Sequence, residues 1–590
     1  MLRRHEDDGS PAGEPWEVSD LAGEIGRLER EETPRWVWTA TASIYPRLLD
    51  AGIRVGRCHD LGHTESLLCG HERRAGPVPL APDTRPPPSP PGRHPHAVQP
   101  ALFDPAARPG RPATGRDSPR DGSPPTGAPV GRPVAGTPVG HASVGQPVDQ
   151  ALVDRALVDQ ALVDQVARIA VARRSSPGFA LLVAAESAAA LAAAEMGHVG
   201  LPWRAEIHDE ILTELLGPRP VLGGRPPRMQ TLAEEIGALL GDPRLNPDSQ
   251  PGLLRALRRA GLPLRTTRSH ELRRIDHPVV APLLHYKELS RLHSANGWAW
   301  REQWVWQGRF HPEYVPGGVV SGRWATRGGG ALQIPRAVRA AVVADPGWVL
   351  IVADAGQLEP RVLAAISRDE RMAAATREGD LYAAVAAQAL GRPEARAEAK
   401  VALLSAMYGG GTSSPALAAL RRRFPTALAL LEDAARAGED GEVVASVLGR
   451  TCPPPRPGWQ DGPDEVIGPR ARARGRFTRN FVVQASAADW ANVLVASLRR
   501  RLTELATSGN PQHHGRAGGP GRDDGSPPGR PDLVFFQHDE VVVHVPAPST
   551  ADAMAAVEAA GAEATRLVLG ERGVRIPLRP KAVSSYAEKG

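Results

Sequence analysis

The sequence predicts a mixed α/β chain of the α+β kind, rich in helix and carrying few strands, and three observations predict it. Helical patterning dominates residues 185–260, 277–300, 358–435 and 482–506. The apolar run Trp348–Ala353 is the length of a buried strand, and two more runs, Leu533–Phe536 and Val541–Val545, lie close enough to pair as a hairpin. At 590 residues the chain is too long for one core and suggests roughly three or four units of ~150 residues.

Pro and Gly, 59 and 61 residues, make up about a fifth of the chain, while aromatics are only 4%. Such a composition does not pack everywhere, so part of the length is expected to be linker. The formal charge of +5 is compatible with a nucleic-acid partner without indicating one. Cys58, Cys69 and Cys452 are too few and too scattered for a disulfide framework or a zinc site. No stretch approaches ~18 uninterrupted apolar residues and no apolar signal core opens the chain, so a cytoplasmic protein with no membrane partner is expected. Only four basic residues are lysines, Lys287, Lys400, Lys581 and Lys589, against 67 arginines. A lysine is therefore the unusual choice at any basic position.

Residues 1–75 form a first region, with a small α/β-like piece over 35–75. A linker follows over 76–174, and its stretch 77–147 holds 20 prolines in 71 positions. The linker closes on a pentapeptide repeat, ALVDR then ALVDQ twice, over 151–165. A five-residue step turns ~140° on a helix, so no single apolar face persists, and a low-complexity, partly helical tract is expected. Residues 175–590 read as continuous folded protein, interrupted by a Gly/Pro/Arg-rich loop insertion at 508–531.

Three segments carry chemistry. In WVLIVADAGQLEPRVLAAIS (348–367) an apolar run ends in Asp354 just before a helix. A carboxylate at the end of a buried strand can hold a cation in a cleft; it also suits the N-cap of the following helix. In DLVFFQHDEVVVHVP (532–546) the two apolar runs flank Gln537-His538-Asp539-Glu540. A tight turn normally takes Gly, Asn or Asp-Gly, so two acids and a His fit turn chemistry poorly, although a solvated hairpin is the plain alternative. In GRPEARAEAKVALLSAMYGGG (391–411) Pro393 suits a helix start and Gly409–Gly411 a stop. Arg392, Arg396, Lys400, Leu404 and Tyr408 recur at i+4 and form one stripe. Glu394 and Glu398 have no basic residue three or four positions away, so the helix is expected to lack internal partners for its charge. A polyanionic ligand would supply them. Two carboxylates on neighbouring strands and a basic helix are the equipment of two-metal phosphoryl transfer. No Walker-type or GxGxxG glycine loop is present.

Taken in chain order, the three segments resemble motifs A, B and C of the family A DNA polymerases, the bacterial DNA polymerase I type. Motif A, DYSQIELR in the family, is similar to the run from Asp354 through Glu359 to Arg361. Motif B, R-x3-K-x3-F-x3-YG, is similar to Arg396, Lys400, Leu404, Tyr408 and Gly409. Motif C, HDE, is His538-Asp539-Glu540. SGRWATRGGGALQIPRAVR (321–339) resembles the family's TGR…LQNIP…R segment, GRFTRNFVVQASAAD (475–489) its R-x3-N-x3-Q stretch, and 246–294 its thumb-side segments. The likeness spans about 175–590 without the 508–531 insertion, and six segments in the family's order make it specific.

The resemblance implies a right-hand fold with an antiparallel palm sheet, a helical thumb (about 240–300) and helical fingers (about 368–470). It implies template-directed addition of deoxynucleotides to a primer 3′ end, in replication or repair, by a monomer whose partners are primer–template DNA and deoxynucleoside triphosphates. Asp354 and Asp539 would bind two Mg²⁺ ions, and with Lys400 and Glu540 they form the expected catalytic set. Arg396 and Lys400 would grip the triphosphate, with Lys400 protonating the pyrophosphate, and Leu404 would lie at the nucleotide. Glu359, with Tyr408 beside it, would exclude a 2′-hydroxyl. Arg323, Arg476, Asn480 and Gln484 would contact the DNA, and His538 would sit near the primer end. Ala355, Gly356, Pro360, Leu404, Ala485 and Ser486 depart from the family pattern, but none replaces a charged catalytic group. The first region resembles a degenerate 3′–5′ exonuclease domain. Of the four carboxylates that chemistry needs, Asp60 and Glu65 are the only candidates, so a structural remnant is expected rather than a nuclease. The alternative is an accessory DNA-binding protein on a decayed polymerase fold.

Overall fold

The computed structural model describes residues 2–72, 148–221, 223–327, 334–409, 414–508 and 529–589. The proline-rich stretch 77–147, most of the 508–531 insertion and Gly410–Gly411 lie outside the described residues.

Ten elements position the site. They are α1 (Val148–Ser175), α2 (Phe179–Val199), β1 (Trp348–Asp354), α3 (Leu358–Ser367), α4 (Arg396–Tyr408), α5 (Asp464–Ser508), β2 (Asp532–Gln537), β3 (Glu540–Pro546), α6 (Thr550–Leu569) and β4 (Lys581–Val583). The strands form one antiparallel sheet in the order β2-β3-β1-β4. β1 and β3 pair in unbroken register from Trp348 opposite Pro546 to Asp354 opposite Glu540. The strands are apolar at nearly every position because both faces of the sheet are covered. Ile351, Ala353, Val541, Val543 and Val545 pack into one core with α2–α6. Leu350, Val352, Val534, Phe535 and Val542 pack into a second core with the helices Ala205–Leu216, Pro227–Leu239, Gln250–Arg259 and Val280–Asn296. Along β1 and β3 the period-2 alternation of side chains assigns each residue to its core, while in β2 a register shift between Leu533 and Phe535 puts Val534 and Phe535 in the same one. Among the described residues two helices, Phe179–Val199 and Glu465–Thr507, are long and apolar enough to cross a membrane, and both are mostly buried within the protein.

Two elements differ from expectation. α5 starts at Asp464, well before 482, and runs through Pro469. Phe481 from its early part packs with Cys452 and Ala485 in a small separate core, which supports a stretch too Arg-rich to read as buried helix. The pentapeptide repeat belongs to α1, which packs on the first region instead of standing apart as linker. Leu162 is buried, and so are Asp159 and Gln165, both polar. Gln165 shares a 3.0 Å hydrogen bond with His59 and donates to the Leu61 carbonyl at 3.0 Å. The docking face is held by polar pairs, which a search for apolar periodicity cannot detect.

Candidate active site

The two aspartates meet at one end of the sheet. β1 ends on Asp354, and the N-cap of α3 is Gln357 in a left-handed conformation (φ 57°), so Asp354 is free of the capping role. In the β2–β3 turn the Asp539 N–H donates to the Gln537 carbonyl at 2.7 Å, closing a three-residue turn on His538 at φ 56°. That conformation is costly for a side chain with a Cβ. The Asp539 carbonyl in turn accepts from the Ala355 N–H at 3.0 Å, which fixes the two acidic residues side by side. Burial and the charge of Asp354 push the Asp539 carboxyl up to about 7. Burial and the nearby Arg323 guanidinium hold His538 down to about 4, so its ring is neutral at pH 7.

The second acid of the turn is engaged elsewhere. Glu540 is buried, accepts from the Tyr586 hydroxyl at 2.8 Å, and pairs with the Lys589 ammonium at 2.6 Å. Lys589 also lies 3.7 Å from Asp354. The sequence reading missed Tyr586 and Lys589; the rarity of lysine was the one available signal.

Glu359, on the first turn of α3, is the junction between motifs. It accepts from the Tyr408 hydroxyl of α4 and pairs with Arg323. Tyr408 therefore sits against Glu359 as the resemblance implied, while Arg323, expected at the DNA, is half-buried on Glu359. Burial and Glu359 raise the Tyr408 phenol well above its ordinary value.

On α4 the stripe is exposed at Arg396 and Lys400 and half-buried at Leu404 and Tyr408. The helix does not lack partners entirely. Arg396 pairs with Asp380, the N-cap of the helix Leu381–Val385, and Arg392 pairs with Glu398 at 2.8 Å. Both partners lie outside the three- and four-residue spacings that sequence arithmetic tests. Lys400 has no carboxylate within 4.0 Å among the described residues, and its ammonium lies 5.9 Å from the Tyr382 ring centre. Arg396 also lies over that ring, at 5.6 Å.

Arg476, Asn480 and Gln484 follow one another at i+4 on α5, exposed, half-buried and buried in turn. The Asn480 side-chain oxygen is buried with no hydrogen-bond partner among the described residues. Any Cβ at Gly409, which follows α4 at φ 67°, would come within 2.8 Å of Arg476. Only glycine allows that approach of α4 to α5. In the first region Asp60 is buried as a helix N-cap, accepting from His63 N–H at 2.9 Å and from the Thr41 hydroxyl and N–H at 2.6 and 2.7 Å. Glu65 is buried against Arg168 at 2.8 Å. Both acids are consumed by packing and leave no open carboxylate for a metal.

A profile of DNA polymerase family A matches residues 227–582. The chain belongs to that family. Among characterised family A proteins, it is 28% identical over 309 residues to the thermostable DNA polymerase I of Thermus filiformis, covering 48% of this chain and 34% of that protein. It is 28% identical over 288 residues to DNA polymerase I of Chloroflexus aurantiacus, covering 44% and 30%. The matched part thus spans about a third of each relative. The polymerase domain of Pol1 from M. smegmatis, solved with a DNA primer–template and dNTP, superposes with a TM-score of 0.59 at 20% identity, over 74% of this chain and 76% of that one. The family A fold is therefore the right-hand one, and the sheet carrying Asp354 and Asp539 is its palm.

Proposed function

We propose that this chain is a template-directed DNA polymerase that adds deoxynucleotides to a primer 3′ end by phosphoryl transfer assisted by two metal ions. The observation that carries the reading is the meeting of Asp354 and Asp539 at the end of the palm sheet, with the Asp539 carboxyl pushed up to about 7. A pair of acids that cannot comfortably ionise together calls for a cation. The donors are all oxygen, which suits Mg²⁺ held by one or two carboxylates with phosphates and water completing the shell. When bound, the ions would lower the pKa of the primer 3′-hydroxyl and neutralise charge on the transferred phosphoryl group.

The chain's own residues do the rest. Arg396 and Lys400 bind the triphosphate from the exposed face of α4, and Lys400 carries a proton able to pass to the departing pyrophosphate. Glu359, held by Tyr408, closes the space a 2′-hydroxyl would need. Neutral His538 sits beside Asp539, where it can meet the primer end. Arg323, Arg476, Asn480 and Gln484 are the residues assigned to the DNA, to read minor-groove acceptors common to all base pairs. Arg476 is exposed, while Arg323 is seated on Glu359 and Gln484 is buried in the ligand-free protein. The structurally similar M. smegmatis domain was solved holding a primer–template and dNTP, which supports these partners.

Asp354→Asn and Asp539→Asn should each abolish incorporation in a primer-extension assay while duplex binding survives, because DNA affinity comes mainly from phosphate contacts. Loss of binding in step with activity would argue against the metal role. An unmodified protein that binds duplex and extends nothing would favour an accessory role on a decayed fold.

A further inference from the structure

The turn Tyr586–Lys589 places an ammonium group against two of the palm acids. Lys589 lies 2.6 Å from Glu540 and 3.7 Å from Asp354, residues that stand opposite each other in the β1–β3 register. The turn is anchored without it. The Tyr586 ring is buried beside Phe535, its N–H donates to the Val342 carbonyl at 3.0 Å, and Lys581 donates to the Glu588 carbonyl at 2.7 Å. Glu540 is largely buried, with 8% of its side chain exposed, whereas the Asp354 side chain is 50% exposed. The ammonium is thus seated on Glu540 and leans toward a carboxylate that remains open.

We propose that Lys589 is a built-in competitor for the metal site: its charge occupies the neighbourhood of Asp354 in the ligand-free protein and weakens divalent-cation binding there. The proposal rests on the reading of Asp354 and Asp539 as metal ligands. A unit positive charge within about 4 Å of a ligating oxygen opposes a second cation strongly, even with partial solvent screening. The residue type also fits. In a chain that uses arginine almost everywhere, this position carries a compact ammonium on a flexible stem. A guanidinium would grip the Glu540 carboxylate with two parallel bonds and yield less readily.

The test is Mn²⁺ binding to the ligand-free, full-length protein, measured by electron paramagnetic resonance at low ionic strength, where screening is weak. Lys589→Met should bind Mn²⁺ at least ~5-fold more tightly than the unmodified protein, and Lys589→Arg, which keeps the charge, should bind it no more tightly than the unmodified protein. In an Asp354→Asn background the Lys589→Met gain should vanish. Near-UV circular dichroism of each variant reports whether the Tyr586 anchor is kept, and Lys589→Gln provides a second neutral variant. Unchanged or weaker Mn²⁺ binding in both neutral variants overturns the proposal. If Asp354→Asn and Asp539→Asn leave Mn²⁺ binding of the otherwise unmodified protein unaltered, the metal-site reading fails first and the proposal falls with it.

Discussion

Arg396 and Lys400 share the exposed stripe of α4, but their chemistry divides. Arg396 already has a carboxylate partner in Asp380, and a guanidinium keeps its protons in proteins. Lys400 has none within 4.0 Å among the described residues, and an ammonium can give up a proton as pyrophosphate leaves. Lys400→Arg keeps the charge and removes the acid. It should lower the single-turnover rate by at least ~10-fold with a smaller change in nucleotide affinity. Lys287→Arg, on the helix Val280–Asn296, serves as the control and should be silent. Extension by Lys400→Arg at close to the unmodified rate would reduce Lys400 to a phosphate clamp. Asp354, Asp539, Lys400 and Tyr408 were legible in the sequence because each stands at a fixed place in a strand end, a turn or an i+4 stripe. Asp380 and Lys589 were not, since their partners lie 16 and 49 positions away from them in the chain. No local spacing rule reaches that far.

The β2–β3 hairpin shows an element bent to a purpose. Its turn holds His538 at φ 56°, where glycine would be free of strain. Left-handed geometry at a residue with a Cβ costs ~1 kcal/mol or more, which marks positions kept for their side chain. His538→Gly should therefore leave the melting temperature unchanged or slightly higher while slowing primer extension. A fall of more than a few degrees would show that the ring stabilises the hairpin and that turn strain is small. The sequence disclosed the odd composition of this turn but not its conformation. It also disclosed the strands, whose apolar runs are continuous because both faces are covered. For α1 the periodicity rule failed, since Asp159 and Gln165 dock that helix through polar contacts.

On the scale of the whole molecule, the first region is fastened to the polymerase body by buried charge. Glu195 of α2 accepts from Tyr45, pairs with Arg499 of α5 at 2.7 Å, and lies 3.8 Å from Arg54, which reaches Asp532 of β2 at 3.1 Å. Burial alone would raise the Glu195 carboxyl, but Arg499, Arg54 and Tyr45 hold it down at about 2. A depressed acid contributes stability that is present above its ordinary pKa and lost as pH falls through the depressed value. Glu195→Gln leaves the half-buried Arg499 and Arg54 guanidinium groups under-compensated and should cost ~2–3 kcal/mol at pH 7. In thermal melts the gap from the unmodified protein should narrow as pH falls from about 4.5 toward 2. A gap that stays constant over that range would mean the network contributes by shape and not by charge.

The palm sheet acts as a bulkhead between two compartments. Leu350 and Val352 belong to one core, Ile351 and Ala353 to the other, and no side chain of β1 serves both. The helices on each side pack against their own face of the sheet, so a change of packing in one core need not propagate through a β1 side chain into the other. What the two compartments share is the rim of that wall, where β1 delivers Asp354 and the β2–β3 turn delivers Asp539. Asp354 and Asp539 are thus mounted on the partition itself and belong to neither core.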